Sequence, residues 1–271
     1  MNYQTLEKRI MKIYNKIPYP IEGCEQNEPS LELYLTDTDN DTLMLIYPGG
    51  GYAILADHEG KGYAEYFNSL GLNCAVLNYR LAPYSYPCQA LDARRAVRFI
   101  KAHADEYKIN PDKIVVVGSS AGGHLAAMTA LFDSTDKIDK AEGVDEIDLI
   151  SPKIAGLVLC YPVITLGRYT HEGSRDNLTK GDKDLIEHLS IEKAAGSNMP
   201  PAFIWTTLDD NLVDSRNSLC LAERYHELGL DCELHIFPHG HHGLGLAPEL
   251  PHVAQWTVLC KNWLISHGFL K

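Results

Sequence analysis

No apolar run in this 271-residue chain approaches the roughly 20 residues needed to cross a bilayer. No C-x-x-C pair occurs among its seven cysteines, Cys24, Cys74, Cys88, Cys160, Cys220, Cys232 and Cys260, which speaks against a zinc site or a redox dithiol. An odd number scattered in this way, with Cys74 and Cys160 inside apolar runs, also argues against a disulfide framework and for reduced core thiols. Basic residues are scarce: 24 Lys and Arg stand against 36 Asp and Glu, a formal net charge of -12. Nucleic acid and anionic membrane surfaces are thereby disfavoured as partners, because both are bound through basic patches. The first 15 residues carry charge and no apolar core. A signal peptide is therefore not expected, and the protein is read as soluble and cytoplasmic.

What is present is an alternation. Hydrophobic residues make up 45% and charged residues 22% of the chain, enough to bury a core without disulfides or metal. Residues 1–271 read as one domain. Short apolar runs at 31–35, 43–47, 74–79, 114–117, 154–160, 203–206 and 233–237 predict strands. Helical patterns fall between and after them at 62–70, 89–103, 122–132, 215–228 and 253–267. Strand and helix in turn predict an α/β fold with a mostly parallel central sheet flanked by helices. The first two strands, joined by the turn-rich segment 37–41, predict an antiparallel hairpin. Two stretches break the rhythm. Residues 133–148 are acidic and read as a surface connection, and 165–199 exceed what a crossover needs. The second stretch, with a helical pattern near 182–189, reads as a small cap over the sheet.

The run Gly118-Ser119-Ser120-Ala121-Gly122 follows the strand at 114–117 and opens the next helix. That context gives the G-x-S-x-G pattern meaning: a sharp turn presents the central serine beside helix amides that favour developing negative charge. At this turn the lysine of a phosphate-binding loop is missing, and so is G-x-G-x-x-G spacing. Ser120 is the candidate nucleophile. A serine hydroxyl needs a base, and the base needs an orienting acid. After the strand at 203–206, Asp209, Asp210 and Asp214 compete for the acid. Asp210 is preferred, with Val213 packing back on the sheet, and Asp209 is the fallback. After the strand at 233–237 comes Pro238-His239-Gly240-His241-His242-Gly243. His242 is assigned as base, with His241 as runner-up. A metal reading of these histidines lacks further ligands at recognisable spacing. Pro48-Gly49-Gly50-Gly51-Tyr52 follows the strand at 43–47, and its glycines can turn amides toward a ligand. The amides of Gly50, Gly51 and Ala121 are candidates for an oxyanion hole.

Taken together, these motifs resemble the α/β-hydrolase family of small acetyl esterases, related to the hormone-sensitive-lipase-like esterases and often labelled acetylxylan-esterase-like. The resemblance also includes Asn78-Tyr79-Arg80-Leu81-Ala82-Pro83, Ala90-Leu91-Asp92, Cys160-Tyr161-Pro162-Val163 and the stretch from His171 to Leu178. Pro48 departs from it, standing where the family more widely has histidine. The resemblance implies the α/β-hydrolase fold and hydrolysis of short acyl esters, acetyl groups on sugars or xylo-oligosaccharides among them, with no cofactor. Tyr52, Tyr161, His171 and Arg175 are candidates to line the substrate pocket, while Arg80 and Asp92 read as a structural pair. Rival readings keep the same residues but cleave an amide, as an arylformamidase or small peptidase would, or make the chain a non-catalytic binding protein. Homo-oligomerisation stays open.

Overall fold

The computed structural model describes residues 9–24, 26, 28–131 and 145–271. Its elements, in chain order, are β1 (Arg9–Lys12), β2 (Ser30–Tyr34), β3 (Leu43–Tyr47), α1 (Asp57–Ser69), β4 (Asn73–Asn78), α2 (Cys88–Ala102), α3 (Ala104–Tyr107), β5 (Ile114–Ser119) and α4 (Ala121–Leu131). After a 3-10 turn at Glu146–Leu149 come β6 (Gly156–Cys160), α5 (Glu172–Thr179), α6 (Lys183–His188), α7 (Ile191–Ala194), β7 (Ala202–Thr207), α8 (Arg216–Glu227), β8 (Cys232–Phe237), α9 (Pro251–Ala254) and α10 (Trp256–Ser266). The strands form one sheet in the order β1-β2-β4-β3-β5-β6-β7-β8. From β4 to β8 in the sheet all pairings are parallel, and β2 alone runs against the rest, antiparallel to both β1 and β4.

Period-two alternation sends successive side chains of each strand to opposite faces. Leu43, Leu45 and Tyr47 of β3, with Ile114 and Val116 of β5, pack under α2, α4 and α8. Met44, Ile46, Val115 and Val117 face the other way, with Tyr63 and Phe67 of α1 and Trp256 and Trp263 of α10. Both faces of the central strands are thus buried, as a parallel sheet requires.

The hairpin expected from the first two strand patterns does not form. β4 lies between β2 and β3, and β2 runs antiparallel to β4 in the register Ser30↔Asn78 and Leu33↔Ala75. The connecting segment instead spans a strand's width across the sheet end, where Thr38 Oγ1 donates to Gly71 O and Asn73 Oδ1 accepts from Thr36 N. Helix α1 begins five residues before the expected start at 62. Gly60 and Gly62 weaken the helical pattern there, and Gly60 lets the helix approach Pro48, whose Cγ would lie 3.2 Å from an added Cβ.

Residues 133–144 of the acidic stretch lie outside the described residues. Its end folds inward: Asp145 and Asp148 pair with Arg95 of α2 at 2.5 and 2.9 Å. The long stretch between β6 and β7 holds α5, α6 and α7, of which only α6 had a visible helical pattern. Among the described residues, no helix is long and apolar enough to cross a membrane.

Candidate active site

Ser120 occupies the turn from β5 into α4 with φ of 53°, a left-handed conformation costly for a residue with a Cβ. Three backbone hydrogen bonds hold it there: its N–H donates to Cys160 O, and its carbonyl accepts from Val163 N and His124 N. The flanking glycines permit the turn. A Cβ on Gly118 would lie 2.3 Å from Gly122 O, and one on Gly122 only 2.1 Å from Tyr47 O.

Ser120 Oγ lies 2.8 Å from His242 Nε2, and His242 Nδ1 lies 2.7 Å from Asp210 Oδ2. The carboxylate only accepts, so Nδ1 carries the proton and the Nε2 lone pair faces the serine hydroxyl. The other oxygen of Asp210 accepts from Leu212 N and Val213 N, both at 2.9 Å. Both oxygens of Asp210 are thereby engaged, and its side chain is buried, at 1% exposure, ahead of the buried Val213. The competing acids point elsewhere. Asp209 binds His239 Nδ1 and Gly240 N, and Asp214 pairs with Arg216. His241 is exposed, with its ring on the His242 carbonyl.

Gly50 and Gly51 have φ of 126° and 65°, a conformation that favours glycine. The turn closes on itself as Gly50 O accepts from Ala53 N and Ile54 N. Among the described residues the amides of Gly50, Gly51 and Ala121 take no hydrogen-bond partner. The turn abuts the serine: a Cβ on Gly49 would lie 3.0 Å from Ser120 Cβ.

The four candidate pocket residues have different fates. Tyr52 does not line a pocket; it is fully buried, and its hydroxyl bonds His124 Nδ1 beneath the glycine turn. Tyr161 is also buried, and its ring edge meets the His242 ring at 5.0 Å. Arg175 turns to Asp176 at 2.8 Å on the surface of α5. His171 remains at the site. It caps α5, with Nδ1 2.8 Å from Ser174 Oγ, and its Cε1 would lie 3.7 Å from a Cβ on Gly51. Burial, and then the neighbouring His242, push its pKa down against the pull of Asp210. Arg80 and Asp92 form a buried bidentate pair behind the site, at 2.9 and 2.7 Å.

Sequence reasoning missed Glu59, in the first turn of α1. It is 2% exposed, and its carboxylate accepts from Gly49 N and Tyr161 Oη, both at 2.7 Å. An acidic residue opening a helix suits the helix dipole and carries no further mark in sequence.

The BD-FAE family model matches residues 31–225. The chain is 35% identical over 246 residues to endo-1,4-beta-xylanase B of Butyrivibrio fibrisolvens, covering 88% of this chain and 38% of that protein. It is 28% identical over 256 residues to the acetylxylan esterase of Xylanibacter ruminicola, covering 92% and 50%. The chain thus spans half or less of the length of these two relatives. The acetyl ester-xyloside bifunctional hydrolase from Caldicellulosiruptor lactoaceticus superposes with a TM-score of 0.92 at 37% identity, covering 100% of both chains. The eight-stranded, mostly parallel sheet with helices on both faces is the α/β-hydrolase fold. The chain belongs to the BD-FAE family.

Proposed function

We propose that this protein hydrolyses short-chain carboxylic esters, acetyl groups on sugars such as xylo-oligosaccharides among them, through an acyl-enzyme on Ser120. The observation that carries the reading is the unbroken chain from Ser120 Oγ through His242 to Asp210 at 2.8 and 2.7 Å. In this reading Ser120 Oγ attacks the ester carbonyl as its proton passes to His242 Nε2. Asp210 keeps the proton of Nδ1 and steadies the imidazolium. The oxyanion sits among the amides of Gly50, Gly51 and Ala121, at the N-terminus of α4, each donor being worth about a hundredfold or more in rate. His242 then protonates the leaving alcohol. It next takes a proton from water, whose oxygen attacks the acyl carbon and releases the acid.

The three helices between β6 and β7 act in this reading as a small cap spanning 165–199, with His171 at its inner edge touching the alcohol half of the substrate. Two contacts support this: Asn177 Nδ2 donates to Gly51 O, and Tyr86 N donates to Leu178 O. The acetyl preference draws its support from the names of the esterase relatives. All seven cysteines are free, as suits a reducing compartment such as the cytoplasm.

The test is turnover of p-nitrophenyl acetate and acetylated xylo-oligosaccharides by wild type and Ser120→Ala. The substitution should lower kcat by at least about a thousandfold. Activity within about tenfold of wild type would remove Ser120 from the mechanism. Turnover confined to long acyl chains would remove the short-chain substrate.

A further inference from the structure

Helix α1 carries none of Ser120, Asp210 and His242, yet its first turn reaches two of the loops around them. A carboxylate only accepts, and Glu59 divides its two oxygens between two such donors. Oε2 takes Gly49 N, in the glycine turn, and Oε1 takes Tyr161 Oη. The Tyr161 hydroxyl oxygen accepts in turn from Gly245 N at 2.8 Å, three residues beyond His242. Its ring braces the imidazole edge-on. Tyr161 keeps φ of 36°, so its placement is held against backbone preference. The neighbouring His58 adds a second tie, as Nε2 donates to Gly243 O at 2.8 Å. Residue 49 is fitted to this arrangement, because a Cβ there would lie 2.5 Å from Glu59 Oε2.

We infer that Glu59 and Tyr161 form a clamp that fixes the glycine turn and the histidine loop relative to Ser120, with Glu59 a positioning residue that touches no reacting atom. The inference deepens the ester-hydrolase reading and rests on it for its kinetic consequence. An acidic residue that merely suited the helix dipole would have no need of burial, and Asp57 in the same turn already serves that end. Substitutions separate charge from geometry. In Glu59→Gln the amide oxygen can keep Gly49 N while the NH2 donates to Tyr161, whose proton can turn to Tyr63 Oη, 3.4 Å away. In Glu59→Ala both donors lose their acceptor. In Tyr161→Phe, Gly245 N loses its acceptor and Glu59 a donor.

The experiment pairs p-nitrophenyl acetate kinetics with hydrogen exchange of peptides spanning 48–53 and 241–247. Glu59→Ala and Tyr161→Phe should each lower kcat about 10- to 100-fold, the scale of a misplaced reacting group. KM should stay within about threefold, since substrate contacts are untouched. Exchange should rise in both peptides together, and Glu59→Gln should fall between these variants and wild type. If Glu59→Ala does not fold, Tyr161→Phe decides. A kcat within about twofold of wild type, or exchange that rises only within α1, overturns the clamp. Coupled exchange in a protein whose wild type turns over no ester supports the clamp and removes the ester reading. Turnover lost in Ser120→Ala, with the two peptides uncoupled, removes the clamp and leaves the ester reading standing.

Discussion

His124, behind the glycine turn, has both ring nitrogens engaged, Nδ1 by Tyr52 Oη and Nε2 by Leu189 O. Leu189 O can only accept, so Nε2 carries a proton, and in the neutral ring Tyr52 Oη donates to Nδ1. Burial pushes its pKa from 6.5 down to about 4. The unfolded chain takes up a proton near pH 6.5, and the folded chain waits until about pH 4. Between these values the unfolded state binds more protons, so stability falls as pH falls, by about 3 kcal/mol across the window. Urea midpoints of wild type and His124→Gln, measured from pH 7 to pH 4.5, should converge toward acid, with the variant flatter. Parallel curves would remove His124 as the cause. The same scale shows what sequence can convey. Ser120, Asp210 and His242 each follow a strand in a short loop, and position alone recommends them. The spacing to Val213 favours Asp210 over Asp209, but what separates them physically is its three donors, which depend on how the loop is laid down. Tyr52 and Tyr161, aromatic residues beside a strand end, suit a pocket wall and a core equally well until their hydroxyls find partners.

Between elements, two glycines make the clearest contrast. Gly122 lies where α4 meets the end of β3, and an added Cβ would strike the carbonyls of Tyr47 and Pro48 at 2.1 and 2.6 Å. Backbone cannot step aside, so Gly122→Ala should cost at least about 3 kcal/mol and push the glycine turn away from Ser120. Gly62 is also helical, in α1, but nothing lies within 4 Å of its added Cβ. Gly62→Ala should stabilise by up to about 1 kcal/mol, through helix propensity and a less disordered unfolded chain. Denaturant unfolding of the two variants should therefore shift in opposite directions, and a shared direction would contradict this account of the packing. Strands β2 to β8 are legible because apolar runs suit a buried sheet, whereas the mostly exposed β1, Arg9–Lys12, offers no such run and goes unseen. How the strands pair is not legible. β2 could pair with β3 by proximity in the chain, but it takes the free edge of β4, a choice made by residues some 45 positions away.

Across the whole molecule, the proposed nucleophile, acid and base follow three strands whose order in the sheet is β5, β7 and β8, with β6 between the first two. Ser120 and His242 are 122 residues apart in the chain and meet only at the carboxyl ends of those strands. β8 is last both in sequence and at the sheet edge, and the loop after it delivers His242. A chain halted before residue 232 therefore has a serine with no base, no more reactive than serine free in water. In the ester-hydrolase reading the molecule stays chemically silent until β8 docks, and reactivity switches on with that step. Refolding should show it. Stacking of Trp205 on Trp256, 5.1 Å between ring centres, gives a fluorescence signal from the same edge of the sheet. Recovery of turnover should follow that signal and lag behind early far-ultraviolet dichroism; turnover that returns with the first helices would mean the base is delivered before the edge is closed.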